Sequence, residues 1–320
     1  MKRIAVLRGG PSSEYEVSLR SGAAVLNALR DLNYTTKDIV ITKGGEWLES
    51  GIARAPEKAL ETADVVFIAL HGTYGEDGQV QRIIQRLGLP FTGSNALSSA
   101  IAYNKELTKE TLREYGIRMA KHRRVTQSAL DNLHLEIEAI LLELGSELFV
   151  KPIGGGSSVG ARYIPHAEAL HDSLRELLPL YDNLMVEEYV RGREATVGVL
   201  REFRNEDLYV LPVIEIIPPD GSPFFSYEVK YNGVTEEICP GRFSYHEKAK
   251  LSEAAARIHK ALHCDHYSRC DFIVRDGEPY FLEINTLPGL TSESLFPKAA
   301  AAVGLEFSEL VKHLVETSRP

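Results

Sequence analysis

Across 320 residues there are only three cysteines, Cys239, Cys264 and Cys270. The count is odd and no pair has the spacing of a zinc knuckle or a redox motif. The thiols therefore read as reduced, which argues against a disulfide-stapled secreted scaffold. No apolar run approaches the length needed to cross a bilayer. The opening Met1-Lys2-Arg3 leads into Ile4 to Leu7, an apolar run too short for the hydrophobic part of a signal peptide. The expectation is a cytoplasmic chain with no membrane partner. Positive charge is in deficit as well: 36 Lys and Arg against 45 Asp and Glu leave a net charge of -9. A nucleic-acid partner would call for a basic patch or stripe, so none is expected. Anionic small molecules would need local positive charge instead. Internal repeats and low-complexity tracts are lacking.

What the chain does hold is an ordinary globular mixture, 44% hydrophobic and 25% charged, and enough length for more than one domain. Ile4 to Leu7, the turn at Gly9-Gly10, and then Gly22, Val25, Leu26, Leu29 and Leu32 on one face read as strand, turn and helix. Val65 to Leu70, a glycine-rich loop at 71–78, and Val80, Ile83, Ile84 and Leu87 repeat the scheme. Strands alternating with helices imply a parallel α/β layer, placed at 1–95. A long helix is expected over Leu97 to Tyr115, stopped by Gly116, and another over 128–145. Leu148 to Lys151 and 184–189 read as strands of a small central α+β domain, 96–185. The last domain, 186–320, opens with strands at Thr196 to Leu200 and Leu208 to Ile217. Residues 218–240 hold four prolines and two glycines without a pattern, as functional or disordered loops do. A helix with Leu251, Ala255, Ile258 and Leu262, strands at 268–274 and 279–285, and a terminal helix with Phe307, Leu310, Val311 and Leu314 complete it.

Five segments can carry chemistry. In Lys151-Pro152-Ile153-Gly154-Gly155-Gly156-Ser157-Ser158-Val159-Gly160, backbone N–H groups can wrap phosphate oxygens above a lysine. It lacks the ending of a Walker A loop and the spacing of a dinucleotide fingerprint, and a flexible surface hairpin fits it too. In Arg269-Cys270-Asp271 and Glu283-Ile284-Asn285, alternation puts each pair of outer residues on one face. If Asp276-Gly277-Glu278 is a three-residue hairpin loop, Asp271 lies opposite Glu283 and Arg269 opposite Asn285. A two-residue loop would set Asp271 against Leu282. Two carboxylates and an amide oxygen suit Mg²⁺; a solvated face with ion pairs is the competing reading. Thr286 to Ser294 leaves that strand with backbone N–H groups near Gly289 for an oxyanion and Ser294 for a carboxylate. Gly9 to Glu14 sits at the carboxyl end of a strand, where ligands of α/β layers bind. There Glu14 can meet an ammonium or simply favour a helix N-terminus. Tyr227-Glu228-Val229-Lys230-Tyr231 reads as a lid or as an ordinary loop. His71 by itself reads as structural. Lys105 is ambiguous, and the other lysines and arginines read as solvated faces.

Together these segments resemble the D-alanine–D-alanine ligase family of the ATP-grasp superfamily over nearly the whole chain. The motifs that carry the resemblance are Gly-Gly-x-Ser-x-Glu-x-Glu-Val-Ser at 9–18, Leu-His-Gly-x-x-Gly-Glu-Asp-Gly at 70–78 and Lys-Pro-x-x-x-Gly-Ser-Ser-Val-Gly at 151–160. Tyr-Glu-x-Lys-Tyr at 227–231 and Glu-x-Asn-Thr-x-Pro-Gly-x-Thr-x-x-Ser at 283–294 complete the set. It implies an ATP-grasp fold in which a parallel α/β domain precedes two α+β subdomains that sandwich the nucleotide. Lys105 and Lys151 then contact ATP phosphates, Glu187, Glu188, Tyr189 and Val190 line the adenine pocket, and Glu194 holds the ribose. Ser157, Phe224 and Lys230 join the nucleotide set. Asp271, Glu283 and Asn285 match the ligands of two Mg²⁺ ions, with Mn²⁺ as an admissible substitute. Glu14 matches the residue that holds the first substrate's ammonium, linked through Ser157 to Tyr231 of the lid. Arg269 and Gly289 match the oxyanion stabilisers, while His71, Ser294 and Leu295 match substrate contacts. The partners implied are D-alanine and ATP, with a homodimer by analogy. Ile153-Gly154-Gly155 and Leu287 depart from the family's usual residues without removing an assigned side chain. The competing readings are a ligase using D-lactate or D-serine, another ATP-grasp carboxylate–amine ligase, a nucleotide-binding module without turnover, and a dinucleotide-dependent oxidoreductase.

Overall fold

A computed structural model describes residues 2–157, 159–219 and 235–319. Phe224, Tyr227, Glu228, Lys230 and Tyr231 of the expected lid, and Ser158 of the phosphate loop, lie outside the described residues. The first layer is a five-stranded sheet, built from β1 (Arg3–Gly9), β2 (Thr35–Ile41), β3 (Trp47–Glu49), β4 (Ile52–Arg54) and β5 (Val65–Ile68) in the order β4-β3-β2-β1-β5. β1 runs parallel to β2 and β5, as the strand–helix alternation predicts, and β3 and β4 are antiparallel additions. α1 (Tyr15–Asp31) covers this sheet with Val25, Leu26 and Leu29, and α2 (Pro56–Leu60) adds Leu60 to the same core. α3 (Gln79–Arg86) follows the glycine loop.

The expected helix over 97–115 is broken in two. α4 (Ala96–Tyr103) stops at Asn104, whose side chain accepts the Leu107 N–H and caps α5 (Lys105–Leu112); residues 113–115 close as a 3-10 turn. A short polar side chain at a cap outcompetes helix continuation here. It also sets Lys105 at the first position of a new helix. The segment 128–145 is a 3-10 turn over 127–132 followed by α6 (Leu133–Leu144).

α6 and α7 (Ala167–Leu177) pack on a four-stranded antiparallel sheet. Its strands are β6 (His122–Thr126), β7 (Leu148–Pro152), β8 (Arg162–Ile164) and β9 (Asn183–Glu188), in the order β6-β9-β7-β8. The third sheet contains β10 (Arg193–Phe203), β11 (Glu206–Val210), β12 (Ile214–Ile217), β13 (Glu236–Ile238), β14 (Tyr267–Arg275) and β15 (Glu278–Asn285). The expected strand over 208–217 is split, because Leu211-Pro212-Val213 lies between β11 and β12, and proline has no N–H for a central ladder. The patternless reading of 218–240 also fails at its end, where β13 pairs with β12. α8 (Tyr245–Ala261) opens with a full capping box, Ser244 with Glu247, and buries Leu251, Ala255 and Ile258 against this sheet. α9 (Leu295–Ala301) leads to α10 (Phe307–Glu316), which returns to pack on α1.

Candidate active site

The register of β14 and β15 fixes the polar face. Asp271 pairs with Glu283 and Arg269 with Asn285, the expected alignment, but the expected cause is wrong. The turn holds two residues, Asp276-Gly277, both at positive φ (54° and 74°), which suits the twist of a tight hairpin. That turn alone would set Asp271 against Leu282. A β-bulge between Asp271 and Phe272 skips one residue of β15 and restores the alignment. Thr196 of β10 lies opposite Asp271 on the other side and donates its hydroxyl to the carboxylate.

These residues face a cavity of about 1050 Å³ that lies among all three sheets. Glu14, His71, Lys105, Lys151 and Ser157 line it, as do Glu187, Glu188, Tyr189, Val190 and Glu194. Arg269, Asp271, Glu283, Asn285, Gly289, Ser294 and Leu295 complete the expected set among the described residues. Arg269 donates from Nε and an Nη to the two oxygens of Asp271, each at 2.9 Å. Burial opposes its charge, but Asp271 and Glu283 raise the guanidinium above its ordinary pKa, so Arg269 is a fixed cation. Lys105 lies 3.3 Å from Glu283 and donates to the Gly155 carbonyl at 2.7 Å, joining the phosphate loop to the carboxylate face. Asn285 Oδ1 accepts the Leu287 N–H at 2.9 Å and holds the start of the next loop. In that loop Ser294 Oγ accepts the Thr291 N–H at 3.0 Å. A Cβ at Gly289 would stand 2.7 Å from Ser294 Oγ, so glycine permits the close approach.

At the opposite wall, Ser157 donates to Glu14 across 143 residues of sequence. Ser12 steadies this corner by donating to the His71 carbonyl at 2.7 Å and accepting the Glu14 N–H at 2.9 Å. His71 Nδ1 donates to the Leu287 carbonyl at 3.1 Å, and its Nε2 accepts from Ser21 at 2.8 Å. Burial lowers its pKa, so the ring is a neutral strut between the first sheet and the Leu287 loop.

Two buried groups were not assigned from the sequence. Glu76 accepts the Gly72 N–H at 3.0 Å and is 3.9 Å from His71. Burial, aided by the charge of Glu14, pushes its pKa up to about 8. Lys109, read as one of the solvated lysines, is instead 2% exposed and pairs with Glu187, which also takes Lys151 at 2.7 Å. Burial works against the Glu187 charge, yet the two lysines hold its pKa at about 2. The helical position of Lys109 beside buried Thr108 and Leu112 was the available signal.

A chain with this three-layer arrangement and a nucleotide-sized cavity among its sheets has the ATP-grasp fold, and its class is that of the ATP-dependent ligases. Sequence profiles described as D-ala D-ala ligase C-terminus and N-terminus match residues 111–316, and residues 3–59 and 48–94. A D-alanine--D-alanine ligase of Syntrophobacter fumaroxidans is 39% identical over 314 residues, covering 98% of this chain and 96% of that protein. Among solved structures, the VanG D-Ala:D-Ser ligase from Enterococcus faecalis superposes with a TM-score of 0.84 at 32% identity, covering 99% of both chains. The D-alanine--D-alanine ligase from Bacillus anthracis complexed with ATP gives 0.79 at 31% identity, covering 99% of this chain and 97% of that one. The chain belongs to the D-alanine–D-alanine ligase family.

Proposed function

We infer that this protein joins two D-alanine molecules at the expense of ATP, through an acyl phosphate, to supply the dipeptide for peptidoglycan precursors. The observation that carries the reading at the level of side chains is the Ser157–Glu14 contact. It ties the phosphate loop to a carboxylate that follows β1 and faces the same cavity as Arg269, Asp271 and Glu283.

In the reading proposed here, Glu187 to Val190 and Glu194 hold the nucleoside, and Lys105, Lys151 and the glycine loop hold the phosphates. Glu14 receives the ammonium of the first D-alanine and so aims its carboxylate at the γ-phosphate. Attack of that carboxylate oxygen forms the acyl phosphate and releases ADP. The amine of the second D-alanine, whose carboxylate sits at Ser294 and Leu295, then attacks the acyl carbon. Arg269 and the Gly289 N–H stabilise the tetrahedral oxyanion, and phosphate leaves. His71 acts by holding the Leu287 loop. Tyr231, Phe224 and Lys230 are proposed as lid contacts to substrate and nucleotide. The donor set of Asp271, Glu283 and Asn285 is all hard oxygen on one sheet face, which fits Mg²⁺, two ions in this reading, or Mn²⁺. When bound, the metal supplies charge neutralisation for the phosphates. We further propose division at 1–95, 96–185 and 186–320, a homodimer, and a cytoplasmic location; no described helix is long and apolar enough to cross a membrane.

D-alanine labelled with ¹⁸O in its carboxylate tests the route. One labelled oxygen is expected in the released phosphate, because the acyl phosphate delivers it there. Unlabelled phosphate alongside dipeptide would rule out that intermediate.

A further inference from the structure

Glu187 of β9 is 3% exposed and is contacted by two lysines from different elements, Lys109 of α5 and Lys151 of β7. The two differ in what else they reach. Lys151 and Glu187 line the cavity, whereas Lys109 does not and also donates to the Ala120 carbonyl at 3.2 Å. Around the carboxylate, His122 stands opposite on β6 and Glu188 follows on β9. Burial and the Lys109 charge both keep His122 neutral.

A buried carboxylate with one lysine is a closed pair, and pulling that lysine away strands an uncompensated charge. Burial and Lys151 lower the Lys109 pKa while Glu187 and Glu188 raise it; with two lysines on one carboxylate, one can turn to a ligand while the other stays. We propose that Lys109 is a positioning residue that holds the Glu187 charge so that Lys151 is free to engage the phosphates of ATP. This rests on the nucleotide reading of the cavity given above. Lys109 touches no substrate; it decides whether the cation of Lys151 is available.

The test compares ATP, at fixed Mg²⁺, with adenosine by calorimetric titration of the full chain at about pH 8, above the ordinary His122 range. In Lys109→Met, ATP binding is expected to weaken about tenfold or more, and adenosine binding less than about threefold. ATP binding to this variant should also take up a proton that the unaltered chain does not. Lys151 must leave Glu187, and a buried carboxylate without a counter-ion protonates. Two buffers of different ionisation enthalpy measure that proton. Lys109→Arg should restore both the ATP preference and proton-free binding.

An equal loss of ATP and adenosine binding without proton uptake would reduce Lys109 to a packing role and overturn the proposal. Unchanged ATP binding would overturn it too. If Lys109→Met does not fold, the double variant Lys109→Met with Glu187→Gln carries the test. Loss of Glu187 can weaken ATP and adenosine alike, so the readout is their ratio: with no carboxylate to hold Lys151, that ratio should match the unaltered chain's. A preference reduced about tenfold would contradict the mechanism. ATP binding that survives Lys151→Ala undiminished would instead remove the nucleotide reading on which the proposal stands.

Discussion

Glu76 and Glu187 are both buried glutamates on the wall of one cavity, and they titrate at opposite ends of the scale. Glu76 rises to about 8 and Glu187 falls to about 2. Both lose hydration on burial, so burial alone does not separate them. What differs is the company. Glu187 has a lysine on each side. Glu76 has one backbone N–H, the neutral ring of His71 and the like charge of Glu14. The site therefore keeps a fixed, compensated charge at the wall proposed for the nucleotide and a proton-holding carboxyl at the wall proposed for the first substrate. The same residue type does both jobs because two lysines contact Glu187, whereas at Glu76 the charge of Arg269 lowers the pKa less than burial and Glu14 raise it.

The two groups also load stability in opposite pH windows. Glu187 contributes stability above its ordinary 4.5, and that contribution is lost as pH falls toward 2. Glu76 keeps its proton in the folded chain where the unfolded chain has lost it. Its contribution is full below about 4.5 and is lost as pH rises through about 8.

The largest expected effect comes from stripping the compensated side. Glu187→Leu leaves Lys109 and Lys151 buried without an anion, and should cost about 3–5 kcal/mol in a denaturant titration at neutral pH. Next is Arg269, a cation of the same cavity whose charge lowers the pKa of Glu76. Arg269→Ala should cut ligation about 10²–10³-fold, as loss of an oxyanion donor does, while ATP titration still shows binding. Intact turnover would remove Arg269 from the oxyanion role. Glu76→Gln should flatten the fall of melting temperature between about pH 5 and about pH 8 without changing it strongly at pH 5. An unchanged slope would mean that Glu76 is ionised like a surface carboxylate. The smallest effect is expected from Glu14→Gln, which removes a like charge and should move the Glu76 midpoint down by less than about one pH unit in a ¹³C carboxyl titration.

Much of this was legible in the sequence, and the failures have physical causes. Alternation along β14 and β15 was enough to place Arg269, Asp271, Glu283 and Asn285 on one face. The hairpin was misjudged, because a two-residue turn and a bulge give the same pairing as a three-residue loop. Asn104 sits inside an apolar helical pattern that hides it, although its side chain caps the start of the second helix. Pro212 likewise interrupts a run whose flanking residues are β-like. Lys109 and Glu76 were missed for a common reason: charge type is written in the sequence, but burial and partners come from elements far apart along the chain. Glu187 is 78 residues from Lys109, and His71 reaches Leu287 across 216.

The most direct test of the whole account is phosphate release from ATP and Mg²⁺ with D-alanine, with L-alanine, and with D-alanine plus D-lactate or D-serine, each product identified by mass. Release with D-alanine alone, giving D-alanyl-D-alanine as the dominant product in every D-alanine mixture, is the predicted result. Binding of ATP without release in any mixture, or a product confined to D-lactate or D-serine, would contradict it.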